Sequence, residues 1–92
     1  MVILKIKNLN GNRITVESIN DKIIFDEIIK DKELVLSDKQ YFIDEQIVTI
    51  FMTCNLHDVD SNIEVFYYGL VAVNKVEYLV RSEDLKDLTV AK

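Results

Sequence analysis

Two long apolar runs dominate the chain, residues 47–56 and 63–73, joined by the polar link 57–62. A third run, 76–80, follows after Asn74-Lys75. In the first run Val48, Ile50, Met52, Cys54 and Leu56 alternate with Ile47, Thr49, Phe51, Thr53 and Asn55. A period of two places one of these sets on the core face of a strand. The second run is apolar on both sides, so both of its faces need cover from a helix, the rest of a barrel or a second subunit. Gly69 in its middle predicts a bulge or bend where the sheet curls. The three runs read as a β-meander.

The flanking segments complete a mainly β, β-rich α+β pattern. Val2, Leu4 and Ile6 alternate with Ile3, Lys5 and Lys7, and Ile14 and Val16 alternate with Thr15 and Glu17. Asn10-Gly11 between them predicts a hairpin, because both residues tolerate the positive φ of a type I′ turn. Over 20–32 the period lengthens: Ile24, Phe25, Ile28 and Ile29 share a helical face, with Asn20 or Asp21 as cap. A short helix is expected there, against the competing reading of a strand over 22–26 that Ile-Ile-Phe favours. Leu34-Val35-Leu36 and Tyr41-Phe42-Ile43 predict two strands about the polar turn 37–40. Val76, Tyr78 and Val80 share a face, and Ser82 is the expected cap of a short helix over 83–88, whose first-turn acids suit the helix dipole. Seven short strands in meander order predict a small antiparallel barrel or a strongly twisted meander sheet, with one or two short helices.

Length adds that 1–92 is a single domain. With 2 glycines and no proline, a long flexible linker is not expected. One cysteine without a disulfide framework, and no apolar stretch of membrane-spanning length, point to the cytoplasm. The net charge of −5 is uneven. Residues 1–16 carry three cations and no acid, 17–64 carry twelve acids against four lysines, and 65–92 balance. A basic stripe is the footprint of direct nucleic-acid binding, and the bias here is the opposite.

Candidate chemistry is sparse. Asp58, Asp60, Asn62 and Glu64 alternate like the oxygen ligands of a calcium loop, but the sixth and twelfth positions hold Ile63 and Gly69 instead of glycine and a carboxylate. His57 is the lone histidine, and Cys54, three residues away, falls on the opposite face of a strand. No glycine-rich phosphate loop and no nucleophile elbow occurs. No cofactor and no metal is expected.

The expected function is therefore contact without catalysis: a small acidic cytoplasmic protein that binds another protein, with a homodimer as one form. Tyrosine and phenylalanine suit interfaces, which singles out Phe51, Tyr67 and Tyr68. Asp26, Glu27, Asp31 and Glu33 are the candidate acids for a partner with a basic, nucleic-acid-binding surface. Small acidic inhibitors of host machinery made by phages and mobile elements include a class that displays carboxylates at phosphate-like positions, and this chain has that style. The alternatives are a structural or oligomerisation subunit of a larger assembly and a small metal-dependent enzyme.

Overall fold

The computed structural model describes residues 3–18, 24–58 and 61–91, with the backbone alone at 24 and 25. Among the described residues nine strands form one antiparallel sheet: β1 (Ile3–Asn10), β2 (Arg13–Ser18), β3 (Ile24–Ile28), β4 (Lys30–Leu34), β5 (Gln40–Ile43), β6 (Gln46–Asp58), β7 (Ile63–Ala72), β8 (Glu77–Arg81) and β9 (Val90–Ala91). A single helical turn, α1 (Ser82–Leu85), precedes the last strand. The order is β3-β2-β1-β8-β7-β6-β5-β9, with β4 also on β6, and the sheet does not close into a barrel. The expected meander is the β6-β7-β8 centre of this sheet.

The cover over β7 comes from within the chain, as two separate cores on opposite faces. The first joins Leu4 and Ile6 of β1, Ile14 and Val16 of β2, Ile29, Tyr67 and Leu79 to Met52, Cys54 and Leu56 of β6. The second joins Tyr41 and Ile43 of β5, Leu70, Ala72, Tyr78, Val80 and Leu88 to Val48 and Ile50 of β6. Thus the even-numbered apolar residues of β6, one continuous face by alternation, are shared between two cores. The cause is a bulge. Ile50 pairs with Leu70 and Met52 with Gly69, which leaves Phe51 without a partner and reverses the facing of every later side chain. The expectation of a bulge or bend at Gly69 is met here.

Gly69 permits that bulge by having no side chain. A Cβ there would lie 2.9 Å from Met52 Cε and 3.2 Å from Phe51 Cε1. The carbonyl of Phe51 accepts a hydrogen bond from Val35 N–H at 2.9 Å, which ties the chain leaving β4 to the irregularity. A second bulge between Ile6 and Asn8 acts in the same way: Leu4 and Ile6 face the first core from even positions and Leu9 packs on it from an odd one.

Several expectations change. The described part of 20–32 is strand, not helix, and the proposed caps Asn20 and Asp21 lie outside the described residues. β3 pairs with β2 and β4 with β6, while Ile29 between them is buried and its N–H donates to Asn12 O at 2.7 Å. One segment thus serves both edges of the sheet, and ladder hydrogen bonds outweigh a local helical period. The segments around 34–36 and 41–43 are not a hairpin: β4 and β5 lie end to end along the same edge of β6. Gly11 and Asn12, not Asn10 and Gly11, form the first turn, since Asn10 pairs with Arg13 and Gly11 has φ +62°.

The true two-residue hairpin loop of this kind is Asp44-Glu45, between the paired Ile43 and Gln46, with φ 54° and 66°. α1 is one turn long with Arg81, not Ser82, at its N-cap and no side-chain cap. Leu85 and Leu88 pack on the second core and lead into β9, which the apolar pattern does not announce.

Two stability changes follow from this geometry. Gly69→Val forces a branched side chain against the packed Met52 and Phe51, and is expected to cost about 2–3 kcal/mol in urea denaturation. Glu45→Gly removes a side chain from a left-handed position and is expected to raise stability by about 1 kcal/mol in the same assay.

Candidate docking surface

The fold gathers the charge onto one unit. Between residues 40 and 74, the β5-β6-β7 stack, the chain has five acids (Asp44, Glu45, Asp58, Asp60 and Glu64) and no lysine or arginine. The remaining eleven acids are balanced by all eleven cations, so this stack carries the whole net charge of −5. It also exposes large apolar side chains: Phe42, Ile47, Ile63, Phe66 and Val73. Phe42 and Ile47 pair directly across β5 and β6. They lie on the side opposite Tyr41, Ile43 and Val48, which fill the second core. Phe66 meets Tyr68 edge to face, with ring centroids 5.4 Å apart.

The residues expected from sequence to meet a partner are scattered. Tyr67 is buried in the first core, Tyr68 is half-buried against the second, and Phe51 is the half-buried bulge residue packed on the first. Asp26 and Glu27 alternate on β3 and point to opposite sides. Asp26 accepts a hydrogen bond from Thr15 Oγ1 and lies 3.9 Å from Arg13. Asp31 accepts from Asn55 Nδ2 at 2.9 Å, and Glu33 is exposed on β4 between Lys32 and Leu34. Among the described residues the exposed phenylalanines are Phe42 and Phe66, to which alternation at first assigned no role. The signal for Phe42 is available in principle: it alternates with Tyr41 and Ile43, and only one side of so short a strand faces the core.

A recess of about 190 Å³ opens at the end of the first core, lined by Glu27, Leu56, His57, Asp58, Val65, Tyr67 and Arg81, so the lone histidine sits there beside two acids. Arg81 donates to the Tyr67 hydroxyl, which, with the charges of Asp58 and Glu83, holds its guanidinium more firmly protonated. Its Nη1 lies 3.7 Å from Glu83. On the neighbouring side Glu64 pairs with Lys30 Nζ at 3.1 Å. Two of the acids at this end, Glu64 and Glu83, are therefore paired with cations. Among the described residues no three histidine, cysteine or carboxylate side chains converge as metal ligands, and Asp60 lies outside them.

Cys54 is fully buried in the first core, and burial pushes its thiol up to about 11, against a small opposing effect of Lys32. It is a packing residue rather than a nucleophile. Tyr78 is likewise raised, by burial and then by the charge of Asp44. Comparison with protein-family models, curated proteins and solved structures finds no match to this chain.

The raised thiol has a measurable consequence. Because the folded state holds the proton more tightly than the unfolded one, its contribution to stability is full below about pH 9 and is lost as pH rises to about 11. Denaturation at pH 8 and pH 11 should show wild type losing up to about 2–3 kcal/mol more than Cys54→Ala over that interval.

Proposed function

We propose that this protein works by docking on a basic surface of another protein and performs no chemistry of its own. The observation that carries the reading is the excess of acids on the stack that also exposes Phe42, Ile47, Ile63 and Phe66, with Asp44 and Glu45 in no ion pair among the described residues. Exposed apolar groups supply affinity on removal from water, while like-signed charge around them steers the encounter and selects the partner. The same face brought against a second copy would set acids against acids, which disfavours the homodimer.

A partner that uses its basic surface to hold nucleic acid fits this pattern. The role of an inhibitor that occupies such a surface is the form of the proposal that the charge supports. The acids for it are those of the stack, Asp44 and Glu45 above all, rather than Asp26, Glu27, Asp31 and Glu33, whose strands also carry or adjoin Arg13, Lys30 and Lys32. The structural-subunit alternative has no comparable observation in its favour. A cytoplasmic setting accords with one buried, unpaired cysteine, and none of the described helices is long and apolar enough to cross a membrane.

The test immobilises the full chain, passes host extract over it and elutes with salt. A specific partner should be released as salt rises from 0.05 to 0.3 M, with affinity falling about tenfold or more. A triple variant Asp44→Lys, Glu45→Lys and Glu64→Lys should fail to retain it. A variant of equal charge change, Glu33→Lys, Asp38→Lys and Asp87→Lys, should still do so. Salt-insensitive retention, or equal loss in both variants, overturns the proposal.

A further inference from the structure

The geometry points to the tip of the β5-β6 hairpin as the contact itself: Phe42 and Ile47, capped by Asp44-Glu45, seat in an apolar site rimmed by lysine or arginine on the partner protein. This rests on the docking reading above and narrows it to one end of the stack.

Three observations single out the tip. First, Phe42 and Ile47 face each other across the two strands, 40% and 38% exposed, on the side opposite the second core. An aromatic beside a β-branched residue is a favourable cross-strand pair with large apolar area, and here that area faces outward.

Second, Asp44 and Glu45 are both exposed, and among the described residues neither lies within 4 Å of a cation in an ion pair. At other exposed apolar groups cations lie closer. Beside Ile63 and Phe66, Glu64 is paired with Lys30 and Glu83 with Arg81. Ile28 and Leu34 flank a strand that carries Lys30 and Lys32. The tip is where apolar surface meets acids that the chain leaves uncompensated, and its complement is a cationic rim.

Third, the fold does not require these two residues. Both adopt positive φ, which asparagine and glycine adopt at lower cost, and glutamate is a poor resident of that region. The turn would form more readily as Asn-Gly. Carboxylates held there at a cost to stability suit recognition better than folding.

A second copy of the chain is the occupant that charge argues against, because two such tips would bring four carboxylates together. The favoured occupant is a different protein that combines an apolar pocket with lysine or arginine.

The experiment selects random 15-residue peptides displayed on phage against the immobilised full chain and measures the winners by titration calorimetry. The expected winners combine lysine or arginine with aromatic or aliphatic residues. Their affinity should fall at least tenfold in Phe42→Ser/Ile47→Ser and several-fold in Asp44→Asn/Glu45→Gly. The second variant should have a raised denaturation midpoint, so its loss of binding cannot come from unfolding. Ile63→Ser/Phe66→Ser should bind as wild type does. Basic peptides that bind all tip variants normally, or that depend on Ile63 and Phe66, overturn the tip while leaving the docking reading intact. Winners without lysine or arginine, or purely basic winners without apolar residues, overturn both.

Discussion

A single unpaired residue, Phe51, decides where everything in this molecule points. Between Ile50 and Met52 the long strand β6 gains one residue over β7, and from there on its side chains face the other way. Without that offset Val48, Ile50, Met52, Cys54 and Leu56 would line one face, and a domain of 92 residues would have one core and one bare sheet surface. With it, the same five side chains anchor two cores, and β7 is covered on both sides over its second half. Gly69 is the condition for it, since any Cβ there meets Met52 and Phe51.

The two cores explain the surface as well. On each side of Phe51 one face of β6 is buried and the other is more exposed, and the more exposed faces lie on opposite sides at its two ends. At the β5-β6 end the more exposed face carries Phe42 and Ile47; at the β6-β7 end it carries Phe66 and Thr53. Elsewhere the chain blunts its exposed elements: β4, with one ladder partner, alternates Lys30, Asp31, Lys32 and Glu33, and its register is broken near Asp31. Residues 40–74, which form the β5-β6-β7 stack, carry acids and no lysine or arginine, and the proposed docking role rests on that contrast.

Much of the fold was legible in the period of the apolar residues. The meander of β6, β7 and β8, the strands at both ends of the first hairpin and the irregularity at Gly69 follow from alternation and from one glycine in a strand. The segment 20–32 was not legible. Ile24, Phe25, Ile28 and Ile29 satisfy a helical period, and only the ladders to β2 and β6 reveal that the chain is extended on either side of Ile29. Asp44-Glu45 gave little hairpin signal because Glu45, unlike Asp44, is disfavoured in the left-handed region, so the turn is imposed by the strands it joins.

The place of the candidate surface was not legible in the sequence. Acidity, scarcity of catalytic groups and abundance of aromatics already implied contact rather than chemistry. Which aromatics remain exposed depends on strand order and on the offset at Phe51, and these send Tyr67 inward while leaving Phe42 and Phe66 at the surface. By itself the sequence determined the strands, their amphipathic period and the sum of charge, because those are properties of neighbours along the chain. Only the tertiary structure decided which face each residue takes and where acids lie beyond reach of cations, because one unpaired residue inverts a face and long-range pairing alone sets which charges meet.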